Sequence, residues 1–149
     1  MPFGRTMVIS GLGSLLRKLA GLRSTESREI RRRALQAAST PLLQAARRLA
    51  PLETGLLRKS LGRRAKTYRS SGTSVIIIGP RSGFKEEVKR KKGYVYSNPT
   101  YYAHLTEFGT IHSRGTHWLE RAEESTRPEV VSTLKDHLAA GIKNKWNRS

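Results

Sequence analysis

Three histidines, His104, His112 and His117, fall within a short span that also holds Glu107 and Glu120. Imidazole and carboxylate groups are ligands for zinc and similar divalent ions, so metal ligation is the first chemistry to weigh. The spacing speaks against it. No HExxH or comparable paired spacing occurs; His104 and Glu107 lie on an aromatic stretch that reads as helix, while His112 and His117 surround a glycine-containing link. Hydrogen-bonding histidines near an interface are the better reading, and no metal is expected. A magnesium-dependent nuclease would need clustered carboxylates. Only Glu86-Glu87 and Glu120-Glu123-Glu124 cluster, and the second group sits where the helix dipole favours acids anyway. No Ser-His-Asp grouping can be assembled, and no glycine-rich phosphate loop follows a strand. The residues thus predict neither a catalytic group nor a cofactor, and the chain is not expected to be an enzyme.

Cations offer a different chemistry. Lys85, Lys89, Arg90, Lys91 and Lys92 stand beside Tyr94 and Tyr96. Charge combined with stacking-capable rings suits nucleic acid. The same segment reads equally well as a solvated loop docking on an acidic protein face, because charge alone specifies no partner. Across the chain Lys+Arg number 29 and Asp+Glu 11, a formal charge of +18. The excess runs from Arg17 to Arg148, so it belongs to the folded body and predicts attraction to a polyanion or an acidic neighbour.

A length of 149 residues with 36% hydrophobic content fits a single domain, 1–149, with a modest core. Absence of cysteine excludes disulfides and Cys-based zinc sites, and fits folding in a reducing cytoplasm. No apolar run reaches the roughly 20 residues of a membrane span. The opening segment, 1–23, is broken by Gly11, Gly13, Arg17 and Lys18; it reads as an amphipathic helix rather than a secretory signal.

These groups must be positioned by regular elements. Leu12, Leu15, Leu16, Leu19 and Leu22 recur at helical spacing, with Gly21 as a stop. Ser24 or Thr25 then caps a long helix whose apolar face runs from Ile30 through Ala34, Ala38, Leu42 and Ala45 to Leu49. Pro41 is expected to kink or divide it, and Ala50-Pro51 to end it. Thr54 caps a short helix to about Ser60, with Gly55 easing the corner. Leu61–Tyr68 and Ser74–Gly79 read as strands of a hairpin joined at Ser70-Ser71-Gly72. The unbroken Val75–Ile78 run predicts cover on both faces, by helices on one and by a neighbouring subunit or loop on the other. Residues 81–99 read as an irregular basic loop, within which Tyr94-Val95-Tyr96 could return a strand to the sheet. Tyr101–Phe108 is a short helix stopped at Gly109-Thr110. Thr116 is expected to cap a final helix, interrupted near Pro128 and fraying over 143–149. The crowding of Tyr101, Tyr102, Leu105, Phe108 and Trp118 leaves core and interface roles both open.

Two phrases in this pattern are familiar. Ala50-Pro51-Leu52-Glu53-Thr54-Gly55-Leu56-Leu57-Arg58-Lys59-Ser60 resembles the A-P-x-x-T-G-x-L-R-x-S signature of bacteriophage tail-completion or head–tail joining proteins, the neck proteins of long-tailed phages. Tyr102 to Thr110 resembles that family's Y-A-x-x-x-E-F-G-T box, and His117-Trp118-Leu119-Glu120-Arg121-Ala122 its following P-F-L-x-x-A segment, with His-Trp in place of Pro-Phe. Order and spacing agree over most of Leu12–Ile142, and the 81–97 segment is longer and more basic than the resemblance leads one to expect.

The resemblance implies an α+β fold: a long N-terminal helix and a C-terminal helix packed on a small antiparallel sheet. It implies a structural virion protein, a tail terminator acting as a homo-oligomeric ring, commonly a hexamer. That ring caps the tail tube and joins it to the head, having been assembled in the host cytoplasm. By the same analogy Pro51, Thr54, Gly55, Leu57 and Arg58 shape the helix–strand corner. Tyr101, Tyr102, Leu105, Glu107, Phe108, Gly109, Thr110 and Trp118 would meet a neighbouring subunit. Its partners would be copies of itself, other neck and tail proteins, and the genomic DNA passing through the ring, with Lys85, Lys89, Arg90, Lys91, Lys92 and Tyr94 placed to touch that DNA or an acidic neighbour. A basic nucleic-acid-binding protein outside any virion is the alternative.

Overall fold

The computed structural model describes residues 12–22, 24–52, 55–68, 70–90 and 93–148. Five helices and six strands alternate: α1 (Gly13–Ala20), α2 (Ser24–Leu49), α3 (Leu56–Ser60), β1 (Leu61–Thr67), β2 (Ser74–Pro80), β3 (Glu86–Arg90), β4 (Gly93–Ser97), α4 (Pro99–Phe108), β5 (Gly109–Thr110), β6 (Ser113–Arg114) and α5 (Trp118–Trp146) among the described residues. The class is α+β, as expected, with two long helices and small antiparallel hairpins.

Helices α2 and α5 form the frame. Ile30, Ala34 and Ala38 of α2 share one buried cluster with Val130, Leu134, Leu138 and Ile142 of α5, closed by Leu12 and Leu19 from the α1 end. Ala45 and Ala46 share a second with Trp118 and Ala122, joined by Leu57, Leu61 and Ala103. The start of α2 therefore lies beside the end of α5, and the two run antiparallel; Lys145 reaches Glu26 at 3.1 Å across that end. Alanine at four of these α2 positions permits the close approach, since it adds little bulk at a helix contact. On the outer side of α2, Arg32 and Arg33 grip the Glu29 carboxylate and hold it below the usual carboxylate range.

Both prolines sit inside continuous helices, so the chain is neither divided at Pro41 nor interrupted at Pro128. Each removes one N–H from the ladder, leaving the Ala37 and Glu124 carbonyls without that donor. Tertiary packing outweighs the loss, because each proline lies between the two inter-helix clusters, with Ala38 and Ala45 buried around Pro41 and Ala122 and Val130 around Pro128. Hydroxyls also tighten the turn before each one. Ser39 and Thr40 donate to the Gln36 carbonyl at 2.8 and 3.3 Å, and Ser125 and Thr126 to that of Ala122 at 3.1 and 2.7 Å.

The corner after α2 explains much of the first sequence phrase. Leu57 and the Ser60 hydroxyl are buried, and Ser60 donates to the Leu57 carbonyl at 2.8 Å. Gly55 sits before α3 with φ of 71°, and the Arg58 guanidinium donates to the Ala50 and Arg48 carbonyls at 2.9 and 2.8 Å. A cation on the last carbonyls of α2 both satisfies them and complements the helix dipole. Thr54 lies outside the described residues.

Strands β1 and β2 pair antiparallel from Leu61↔Pro80 to Thr67↔Ser74, the predicted hairpin. Its inner face lies on α2, where Arg63 donates to the Gln36 carbonyl and the Thr40 hydroxyl, and Arg31 reaches the Gly72 carbonyl. The outer face is exposed: Val75 and Ile77 alternate with half-buried Ile76 and Ile78, so among the described residues the run is covered on one side only. The expected irregular loop at 81–99 contains a second hairpin, β3–β4, with Val88 opposite Val95. Those strands pair with each other and not with β1–β2. The end expected to fray from Lys143 is helical to Trp146. No helix among the described residues is long and apolar enough to cross a membrane.

Two substitutions test this frame. Pro128 is exposed, so Pro128→Ala should restore a helix hydrogen bond and stabilise the fold by about 1–3 kcal/mol, read from the urea midpoint. A lower midpoint would mean that α5 requires the proline. Arg58→Met should destabilise by about 1–2 kcal/mol by leaving the α2 carbonyls unpaired, and an unchanged midpoint would remove its capping role.

Candidate assembly surface

Helix α4 begins where Asn98 caps it, its side-chain oxygen accepting the Thr100 N–H at 3.0 Å, with Pro99 in the first helical position. Pro99, Ala103 and Glu107 recur every four residues and all face inward, buried. Tyr101, Leu105 and Phe108 recur at four and three, which places them on one outward stripe. Tyr101 is 76% and Phe108 63% exposed.

The stripe is held by a weld between the end of α4 and the start of α5. Glu107, only 2% exposed, directs both carboxylate oxygens at the first turn of α5 and accepts the N–H groups of Leu119 at 2.8 Å and Glu120 at 3.0 Å. Its backbone carbonyl accepts from His117 at 3.1 Å, and the Thr106 carbonyl accepts both the N–H and the hydroxyl of Thr116 at 2.9 and 2.8 Å. The Trp118 indole N–H donates to the Thr106 hydroxyl at 3.2 Å. Thr116 is thus not the cap of α5. His117 precedes that helix in the left-handed region, φ 47°, without a capping side chain, and Glu107 supplies the cap from another element. A buried carboxylate at a helix N-terminus neutralises orphan N–H groups and the positive end of the dipole together.

Between the two helices the chain doubles back as β5–β6, with Gly109 opposite Arg114 and Thr110 opposite Ser113. Gly109 has φ of 87°, and a Cβ on it would meet the Gly115 nitrogen; one on Gly115 would meet the Glu107 carbonyl oxygen. Only glycine at both places lets the strands close this tightly. The tip carries exposed Ile111, beyond Phe108. A groove beside α4 joins both sequence phrases: Pro51 and Leu57 line it together with Tyr102, Leu105, Thr110 and Arg114.

The residues expected at a subunit interface therefore separate. Tyr101, Leu105, Phe108 and Thr110 are exposed, and Tyr102 and Gly109 half-buried, Tyr102 at the groove. Glu107 and Trp118 are interior: Trp118 is a core residue of the α2–α5 cluster, and Glu107 is spent on capping. Of the basic group, Lys85 is exposed. Lys91 and Lys92, and the side chains of Lys89, Arg90 and Tyr94, lie outside the described residues.

Glu107, His117 and Glu120 bring possible ligand atoms within 4.8 Å of one another, while His104 and His112 stand apart from this group. The geometry favours a cap over a cation. Both Glu107 oxygens already accept N–H groups, His117 Nδ1 meets Glu120 at 3.1 Å, and a metal ion would sit against the positive end of α5. Sequence reasoning missed Glu107 as a cap; the available signal was the lack of a Ser, Thr, Asp or Asn immediately before Trp118.

The profile of a family described as "Bacteriophage HK97-gp10, putative tail-component" matches residues 14–109. That span runs from the second residue of α1 to the end of α4, holds the first sequence phrase and all of the second but Thr110, and ends at the glycine that stops the stripe. Comparison with curated proteins gives no match, and comparison with solved structures gives none.

The cap makes a direct prediction. Glu107→Gln keeps the shape but turns an amide NH2 toward the α5 N–H groups, so unfolding free energy should fall by about 2–3 kcal/mol. Chemical denaturation followed by circular dichroism measures this, and a change below about 0.5 kcal/mol would remove Glu107 as the cap.

Proposed function

Because this chain belongs to the bacteriophage HK97-gp10-like family of phage tail components, we propose that it is a structural virion protein that closes the head-proximal end of a phage tail. Copies associate into a ring that caps the tail tube and presents its other face to the head. The α4 stripe is the surface through which it assembles. The observation that carries this reading is the display of Tyr101, Leu105 and Phe108 to solvent on a helix anchored from behind by Glu107, with Ile111 exposed on the adjoining hairpin tip. Exposed large apolar side chains gathered on one stripe mark protein–protein contact. Aromatic rings are favoured there because they give large area at low entropy cost.

Charge supports the same reading. At +18 the isolated chain repels its copies, and the stripe offers contact without adding a cation to it. The remaining basic surface is then available to DNA passing through the ring or to an acidic neighbouring ring. A nucleic-acid-binding role outside the virion rests on the same charge, without a use for the stripe.

Native mass spectrometry of the purified chain, with and without purified tails, tests the proposal. Closed rings, or monomers that join tails, are expected; a monomer that binds duplex DNA and ignores tails would overturn it. Phe108→Asp should abolish association while leaving a folded monomer with an unchanged far-ultraviolet spectrum. A variant that assembles normally would free the stripe of this role.

A further inference from the structure

The stripe needs a seat, and the chain carries a second exposed apolar surface that matches it. In the β1–β2 register Arg64 lies opposite Ile77 and Lys66 opposite Val75, so these four side chains share the outer face of the ribbon. All four are exposed, Ile77 by 51%. Exposed Tyr68 continues the row, its ring 4.6 Å from the Lys66 ammonium. A ribbon face turned to water ordinarily alternates to polar residues. Here β-branched side chains occupy those places, with two cations beside them. Next to Ile77 the face dips: a Cβ on Gly79 would meet nothing within 4 Å, while opposite it the Arg81 stem lies over Gly62. The outer face is thus apolar at Val75 and Ile77, open above Gly79 and edged by cations.

Resting on the assembly reading above, we infer that the α4 stripe of one copy seats on the outer face of the β1–β2 ribbon of a second copy. Three features select this occupant. Lengths agree: Tyr101 to Phe108 spans about 11 Å at 1.5 Å per helical residue, and Val75 to Gly79 about 14 Å at 3.4 Å per strand residue. Chemistry agrees, since the rings of Tyr101 and Phe108 offer π faces to Arg64 and Lys66 while Leu105 meets Ile77 and Val75. Charge excludes the symmetric alternative for the ribbon, because packing it on its own copy would set Arg64 and Lys66 against themselves. The contact joins two different patches, so it is heterologous, and repetition closes a ring or extends a filament.

The absence of cysteine makes the test clean. Purified full-length Ile77→Cys and Phe108→Cys chains are mixed under mild oxidation, and separately Ile77→Asp and Phe108→Asp chains are mixed at equal concentration. Only the Cys mixture should give a 77–108 disulfide between chains. Each Asp variant alone should lose at least about tenfold in self-association, while the two together should form a capped one-to-one dimer, since one intact stripe then meets one intact ribbon. A 108–108 disulfide with no dimer from the Asp mixture would make the contact symmetric and overturn the inference. So would rings that persist with Ile77→Asp, or a wild-type chain that stays monomeric while still binding tails, with no 77–108 disulfide from the Cys mixture; the tail reading survives both. Loss of tail binding alongside a normal 77–108 disulfide would instead sink the tail reading.

Discussion

A buried carboxylate holds this protein's two halves in register. Glu107 belongs to α4, yet the groups it satisfies are first-turn N–H donors of α5, the longest helix among the described residues. A helix start without its own capping side chain is costly when buried, and the carboxylate removes that cost only while α4 stays in place. Position is therefore transmitted both ways. The α2–α5 core fixes α5, α5 fixes Glu107, and Glu107 sets the rotation of α4 that leaves Tyr101, Leu105 and Phe108 facing out. The two glycines at 109 and 115 serve the same arrangement by letting the connecting hairpin close against the end of α4.

Given that weld, the alanine-rich α2 and the internal prolines become compatible. The helices are kept continuous by what they touch rather than by uninterrupted ladders, since core residues flank Pro41 and Pro128 on both sides. Small side chains at Ala34, Ala38, Ala45 and Ala46 bring α5 near enough for Trp118 to be fully enclosed. The core is thin, so polar groups at the corners share in the structure. Arg58 on the end of α2, Arg47 on the Leu61 carbonyl and Arg63 on the Gln36 carbonyl are cations used as hydrogen-bond donors to backbone. Part of the large positive charge is thus structural.

Sequence periodicity located most of this fold, because helical spacing of leucine and alanine and the β-branched Val75–Ile78 run are local signals. What it missed depended on contacts distant in sequence. That neither proline divides its helix depends on packing that is not visible locally. The β3–β4 hairpin was hidden in a run of lysines, although Val88 and Val95 with tyrosines around them carry strand character. Thr116 looked like a cap by type and position, whereas its hydroxyl turns back to α4 and the cap arrives from Glu107. For the candidate surface, composition identified the aromatic segment but not its division. Only the helix phase sorts Tyr101 and Phe108 outward from Glu107 inward, and only the tertiary core claims Trp118.

That division bears on how a chain so basic can assemble at all. Like charges on facing copies oppose association over a Debye length of about 8–10 Å at physiological salt, so a stable contact must place few cations face to face. The outer surface of α2, with Arg32 and Arg33, fails that condition. The α4 stripe meets it, and it is uncharged because the acid of its own sequence phrase, Glu107, has been drawn inside to cap α5. Burying that carboxylate therefore has two consequences from one side chain: it fixes the helix that carries the stripe, and it leaves the stripe apolar and fit to receive a cationic surface.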